Sequence, residues 1–411
     1  MTPLSTLAPM HNAPATCEKA YDEVLRHFAE LDKCVERSGY RGYEFDDFLA
    51  SPILRAASLG NLFLQRVFIQ IGEKLPINLR PLLGIRKLPS AKANGYFARG
   101  YLHAYAAAAN EIRLEKARRL LDWLLANPSK GYSGLAWGNA YDFASRGGFF
   151  PKDLPTVVWT SQISKAFFLA YPITNESRFA DAVVSSAQFV LKDLPRHRER
   201  GGTCIAYAPG IPALVHNSNL LGAAALLRAW SLDRDREKYD IAQSALRWSL
   251  SHMNEDGSWR YGVGKQYPWI DNLHTGYVID SLLEAHSLSG ETCVPRKAIE
   301  RSFAFWRKAF FLDDGTPRYY HNRTYPLDIQ CAAQAIETFA NYCELDATAL
   351  EDACKVLRWT VSNLRRPDGF FMYQKRRGYR NKAVYIHWGQ STMLAALGIL
   401  LHHFCAQKDT K

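Results

Sequence analysis

Two aspartates and two histidines stand where they could move protons. Asp271 and His274 lie in the run Tyr267-Pro-Trp-Ile-Asp-Asn-Leu-His-Thr-Gly-Tyr277, Asp328 in Tyr325-Pro-Leu-Asp-Ile-Gln-Cys, and His387 in Tyr385-Ile-His-Trp-Gly-Gln. Each run is a polar, aromatic turn that passes directly into small and apolar residues at helical spacing. An aspartate ahead of such a segment caps the first N–H groups, and a side chain three residues on projects from the same turn. Neighbouring helices lie about 8–10 Å apart, so two such carboxylates could flank a glycosidic bond as acid and base. Both can equally serve as plain N-caps. Asp142, in the aromatic loop Trp137-Gly-Asn-Ala-Tyr-Asp-Phe143, is a third candidate acid. His274 and His387 could act as bases or hydroxyl partners, with His216 and His321 beside the same proposed mouth. No histidine pair has a His-x-x-x-His spacing, so neither a metal nor any other cofactor is expected.

The residues around these candidates suit recognition of a hydroxyl-rich, elongated ligand. Trp269, Tyr277, Tyr320, Tyr373 and Trp388 offer faces for stacking, although each could simply fill space. Asn217, Asn219, Asn272 and Gln390 offer neutral donors and acceptors. Arg376 and Arg377 belong to the basic run Gln374-Lys-Arg-Arg-Gly-Tyr-Arg-Asn-Lys382, which could hold uronate, sulfate or phosphate, or remain a solvated loop. The net charge of +11 points to an acidic partner. Nucleic acid is not expected, because no binding module accompanies the charge. A Walker loop, a dinucleotide glycine fingerprint and a Gly-x-Ser-x-Gly elbow are all missing.

What positions these residues is a repeat. Similar turn-to-helix runs begin near Gly95, Val158, His216, Asp271, Asp328 and Tyr385, about 55–60 residues apart in the clearer copies. Between them stand amphipathic segments with dense surface charge: 111–123, 177–193, 235–253, 296–310 and 347–364. A helix without a charged face belongs inside and one with such a face shields it. The alternation predicts an all-α fold, an (α/α)6 toroid of six inner and six outer helices. Residues 94–411 form the toroid domain, and 1–93 are a helical extension completing the ring, with the sixth outer helix drawn from 51–73. Residues 18–36 read as a further amphipathic helix and 1–15 as a leader. The mouth loops pair Asp-Gly with aromatics at 256–261, 314–320 and 368–373, which suggests short β-hairpins. No apolar run is long enough for a membrane span, no secretory signal is visible, and eight scattered cysteines suit a reduced, cytoplasmic protein.

An aromatic Asp-Gly turn followed by an inner helix opening on Asp, Asn or His resembles the six-hairpin carbohydrate-active toroids. That superfamily includes glycoside hydrolases, unsaturated uronyl hydrolases, polysaccharide lyases and N-acylglucosamine epimerases. Trp269-Ile-Asp-Asn-Leu-His-Thr-Gly and Pro76-Ile-Asn-Leu-Arg-Pro-Leu-Leu-Gly-Ile85 also look like proteins of bacterial surface-polysaccharide synthesis. The resemblance implies an enzyme acting on an acidic oligo- or polysaccharide, by hydrolysis or β-elimination, in surface-polysaccharide metabolism. A sugar epimerase of the same fold is the alternative. A non-catalytic glycan-binding or scaffold protein, working beside other polysaccharide-assembly proteins, is the rival from another class.

Overall fold

The computed structural model describes residues 15–409, with side chains from 18 to 406. The expected leader therefore lies outside the described residues, except for Ala15. The chain opens with α1 (Ala15–Arg37), then α2 (Pro52–Ala57) and α3 (Leu62–Lys74). Five helical hairpins follow: α4 (Ala91–Ala108) with α5 (Glu111–Ala126), α6 (Val157–Thr174) with α7 (Ser177–Lys192), α8 (His216–Asp233) with α9 (Arg236–Ser251), α10 (Asn272–Ser289) with α11 (Arg296–Phe310), and α12 (Ile329–Asn341) with α13 (Ala349–Leu364). Helix α14 (Gln390–Asp409) comes last.

The even-numbered helices from α4 to α14 form an inner ring. Each packs on the next, and α14 returns to α4, so the ring closes. Their composition explains the placement: every residue of α8 from His216 to Ala229 is buried, with Gly and Ala at the closest points. The outer helices bury one stripe each. In α11 it is Ala298, Ile299, Ser302, Phe303, Trp306 and Phe310, spaced three and four apart. The fold is an (α/α)6 toroid with short β-hairpins in its mouth loops.

The sixth outer helix is α1 and not the segment 51–73. Tyr21, Val24, Phe28, Leu31 and Val35 form the buried stripe of α1, which packs on α14. A repeated contact fixes the order. A glycine in five of the six outer-to-inner connections lies flat against the next outer helix, where a Cβ would collide: Gly134 on Ser185, Gly202 on Ser244, Gly257 on Arg301, Gly315 on Lys355, and Gly369 on Cys34 of α1. The expected helix 51–73 is instead broken at 58–61 and lies over the mouth. Only Gln65, Ile69 and Gly72 of α3 are buried, and a Cβ on Gly72 would strike the Phe48 ring. Tyr373 Oη donates to Glu73 Oε1 at 3.0 Å and Asn381 Nδ2 to the Glu73 carbonyl at 2.9 Å.

The strands are few and antiparallel. β1 (Arg41–Gly42) pairs with β2 (Leu88–Pro89), β3 (Phe143–Ser145) with β4 (Gly148–Phe150), and β5 (Arg196–Glu199) with β6 (Gly202–Ile205). β7 (Leu327–Asp328), β8 (Gln374–Arg376) and β9 (Tyr379–Asn381) form one sheet in that order. Of the three loops expected to carry strands, the turns at Asp256 and Asp314 form only isolated bridges. The third places its hairpin at 374–381, beyond its aromatic run.

Charged residues fill the ring's axis. Arg99 of α4 is fully buried, donating to Gln162 at 2.8 Å and pairing with Glu337 across the ring on α12. Arg228 pairs with Glu284 at 2.8 Å, and Lys165 reaches the same carboxylate at 3.5 Å. Breaking a buried pair from one side strands the other charge. Arg99→Met should therefore destabilise the protein by about 3–5 kcal/mol in chemical denaturation. Arg99→Met with Glu337→Leu should recover part of that loss, and equal stability of the single variant and the wild type would refute the ion pair's role.

Candidate active site

The mouth loops and the first turns of the inner helices enclose a cavity of about 840 Å³. A second cavity of about 770 Å³ adjoins it and shares Tyr207, His274, Tyr320 and Arg323 as walls, which makes the whole an elongated cleft.

His274 lines both cavities, and its orientation is set by the cap of its own helix. The Asp271 carboxylate caps α10 by accepting from His274 N at 2.9 Å, and it also takes His274 Nδ1 at 2.7 Å and Trp269 Nε1 at 2.9 Å. A carboxylate only accepts, so Nδ1 carries the proton of that bond, and Nε2 is left free of Asp271. Tyr261 packs edge-on against the ring at 4.5 Å. Asp271 itself is buried and lines neither cavity.

His387 lines the first cavity from the turn before α14. Its ring lies 5.6 Å from that of Tyr96 and 6.2 Å from that of Trp388. Burial, reinforced by the positive charge of Lys92, holds its pKa well below the usual histidine value, so the ring is neutral at neutral pH. Glu44 Oε2 stands 3.8 Å from its Nδ1. Burial, opposed by Lys92 and aided by Asp46 and Asp47, pushes Glu44 up to about 7.

Asp328 repeats the arrangement of Asp271. It caps α12 by accepting from Gln330 N at 2.7 Å, takes Trp388 Nε1 at 2.9 Å, and also accepts from Gln374 Nε2. Fully buried, it holds Trp388 and Gln374 in the cavity wall without reaching the cavity. At the floor, Tyr96 Oη and Tyr277 Oη are 2.8 Å apart, and Gln330 Nε2 donates to Tyr277 at 3.1 Å.

The structure gathers Asn217, Tyr277, Tyr320, Tyr373, Arg376, Arg377 and Trp388 around the first cavity and Trp269 around the second. It leaves other expected residues out. Asp142 accepts from Lys152 N at 2.7 Å and pairs with Arg55 at 3.4 Å, away from both cavities. Asn219, Asn272 and Gln390 are buried clamps on loop backbone. Asn219 accepts from Ile205 N at 2.9 Å, Asn272 donates to the Arg318 carbonyl at 3.0 Å, and Gln390 bonds both N–H and carbonyl of Phe371 at 2.9 Å. His216 is in the core between Trp248 and His252, and burial lowers it to about 3. His321 borders the second cavity, with Nδ1 3.2 Å from the Ile270 carbonyl.

Several wall residues lie outside the candidates that the sequence singles out. Lys92 and Tyr96 stand on α4, Gln162 on α6, and Asp46, Gln70 and Glu73 in the N-terminal segment. Lys92 Nζ lies 4.7 Å over the Trp159 ring. The signal was present: Ser90-Ala-Lys-Ala-Asn-Gly-Tyr-Phe-Ala-Arg99 places two cations in a helix otherwise built for burial.

Burial pushes Asp328 up to about 6, against the bonds from Gln374, Gln330 and Trp388. An acid raised in the folded state stabilises most below its unfolded pKa of about 3.9, and that contribution is lost as pH rises through about 6. Asp328→Asn should therefore lose less stability than the wild type between pH 4 and about 7, as thermal unfolding at each pH would reveal. Parallel curves would mean that Asp328 titrates like a solvated carboxylate.

No protein-family model matches the sequence, and no curated protein matches it. Solved structures do resemble it. Cellobiose 2-epimerase from Bacillus thermoamylovorans superposes with a TM-score of 0.61 at 13% identity, over 78% of this chain and 88% of that one. A GH76 α-mannanase from Bacteroides thetaiotaomicron gives 0.59 at 12%, over 78% and 88%. A possible GH105 member from Salmonella enterica gives 0.60 at 12%, over 98% and 97%. The chain thus shares the (α/α)6 toroid fold of these structures.

Proposed function

We propose that the protein is a carbohydrate-active enzyme that moves a proton on and off a sugar carbon, an epimerisation or isomerisation, with His387 and His274 as the proton-transferring pair. The observation that carries this reading is the pair itself: two imidazoles line one cavity, and the aspartates expected as acid and base lie behind that wall. Hydrolysis by Asp271 and Asp328 loses its support, since neither lines the cavity. Neutral His387 is suited to accept a proton from the carbon beside a sugar carbonyl, leaving an enediolate. An imidazolium at His274, stabilised through Nδ1 by Asp271, is suited to return a proton from Nε2. Return to the same carbon on the opposite face gives the epimer, and return to the former carbonyl carbon gives the isomer. Asp271 is then a positioning residue.

The basic wall favours a second reading. Lys74, Lys92, Arg323, Arg376 and Arg377 all border the first cavity, with Asp46 and Glu73 as its acids. Glu73 is occupied by Tyr373 and lies 3.7 Å from Arg376. Such a surplus suits a uronate-bearing glycan, in which proton abstraction beside the carboxylate ends in β-elimination. A role in surface-polysaccharide metabolism and a cytoplasmic location belong to the same proposal.

Incubation with neutral and uronate-bearing oligosaccharides in D2O separates the readings. Deuterium at the carbon next to the anomeric centre, seen by NMR, is the expected result. His387→Gln and His274→Gln should each lower that exchange by at least about 100-fold. Asp271→Asn should lower kcat with little change in KM. New unsaturated ends without exchange would select elimination. No turnover of any glycan that binds would select the non-catalytic alternative.

The hairpin β8–β9 gives a further test. Arg376→Glu with Arg377→Glu should weaken binding of a uronate oligosaccharide at least about tenfold, more at low salt than at high. Arg380→Glu, on the exposed side of the same hairpin, should change it little. Equal effects on a neutral oligosaccharide would remove the case for an acidic substrate.

A further inference from the structure

Of the twelve large apolar side chains that are exposed among the described residues, seven lie between 53 and 82. Leu59 is 87% exposed, Leu82 81%, Phe63 and Ile77 68% each, Ile53 61% and Ile71 50%. Scattered apolar exposure is ordinary on a protein surface, but such concentration in one segment marks an interaction site. The segment is not loose. Leu54 and Leu83 pack with Phe48, Ile69 and Phe143, and Gly72 lies flat on the Phe48 ring. Arg80 is buried and holds it from below, with Nε 2.6 Å from Asp47 Oδ1 and Nη2 donating to the Glu44 carbonyl at 2.8 Å. The inner face of α3 is Gln65, Ile69 and Gly72; Phe63, Val67 and Ile71 recur four residues apart on the other side.

Leu59 makes the exposure deliberate in structural terms. It sits just past the end of α2 at φ +49°, a left-handed position where glycine or asparagine is usual. A leucine there meets steric cost in its backbone and gains nothing from burial among the described residues.

The charge of the segment indicates what covers it. Residues 52–87 carry Arg55, Arg66, Lys74, Arg86 and Lys87, besides the inward Arg80, against Glu73 as their one acid. A second copy would bring the same positive surface against itself. An apolar face ringed by Arg and Lys instead matches an interfacial element seated in an anionic lipid surface. No described helix is long and apolar enough to cross a membrane. We infer that the α2–α3 segment docks the protein on an anionic bilayer, inserting Leu59, Phe63 and Ile71 among the headgroups. Because α3 also lends Gln70, Glu73 and Lys74 to the cavity wall, docking sets the cleft beside the membrane.

Co-sedimentation of the full chain with phosphatidylcholine vesicles, with and without phosphatidylglycerol, tests this without any sugar substrate. Its outcome is independent of the catalytic reading. Binding should require the anionic lipid and weaken as salt rises. Leu59→Ser, Phe63→Ser and Ile71→Ser together should reduce it at least about tenfold and leave the thermal transition unchanged, since these side chains are exposed. Arg86→Glu with Lys87→Glu should reduce both the binding and its salt dependence. No binding of the wild type to anionic vesicles, or equal binding by the triple variant, would overturn the inference. So would a concentration-dependent dimer abolished by the same three serines, which would assign the face to a second copy.

Discussion

A helix buried on every side still begins with N–H groups that no carbonyl of its own can reach. Four of the six inner helices meet that demand with a side chain. Ser90, Thr156, Asp271 and Asp328 cap α4, α6, α10 and α12 through their side chains, while α8 starts from Val215 without one. These helices start at the mouth, so the polar groups that capping requires accumulate there. At Asp271 and Asp328 the capping carboxylate has acceptor sites to spare. It orients His274 and Trp269 in one case, and Trp388 and Gln374 in the other. The same carboxylate that allows a helix to be buried aims the side chains of the cleft.

The axis of the ring obeys a harsher version of the same constraint. Three cations, Arg99, Lys165 and Arg228, meet three carboxylates, Asp280, Glu284 and Glu337, in a region with little solvent. Two of the pairs, Arg99 with Glu337 and Lys165 with Glu284, join helices that are not neighbours in the ring. Burial pushes Asp280 up to about 7, where Gln334 and Thr338 donate to it at 2.7 and 3.0 Å. Arg99 also lies 5.2 Å from the ring of Tyr96, so this network sits directly beneath the cavity floor. Buried pairs add little net stability over apolar packing. What they add here is a fixed relation between helices that are not adjacent in the ring, and with it the spacing of the groups that line the cleft.

Much of the fold was legible because inner and outer helices differ in a property that composition records, the presence of a charged face. That property fails at the N-terminus. Segment 51–73 is more apolar than 18–36, and composition alone favours it as the helix that closes the ring. Yet α1 supplies the closing stripe, and α3 turns Phe63 and Ile71 outward. Apolar content registers the wish to leave water, not the surface that will provide the shelter. The cleft was legible in part for a related reason. His274 and His387 line the first cavity while Asp271 and Asp328 stand behind its wall, and sequence cannot tell the two positions apart. Asn219 and Gln390 have the chemistry for binding a hydroxyl and use it on loop backbone. Lys92 and Tyr96 are harder to read, because their repeat lacks the Asp or His that marks the others.

Counting from the caps resolves that ambiguity. Two residues after the cap come Lys92, Val158, Asn217 and Leu273, all of which border the first cavity, and six after it come Tyr96, Gln162 and Tyr277, which do so too. One and four residues after the cap come Asn272 and Asn219, the loop clamps. At about 100° per residue the second and sixth positions share one side of the helix, while the first and fourth share the opposite side. A single helical period thus divides recognition from scaffolding in successive repeats. His274, three residues after its cap, lies between the two sets, where its ring can face the cavity while Nδ1 stays on Asp271. A histidine at the second or sixth position would face the cavity but lose the carboxylate. One at the fourth would turn away from the cleft. The spacing of three is what lets a repeated structural cap serve, in one repeat, as the partner of a proton-transferring side chain.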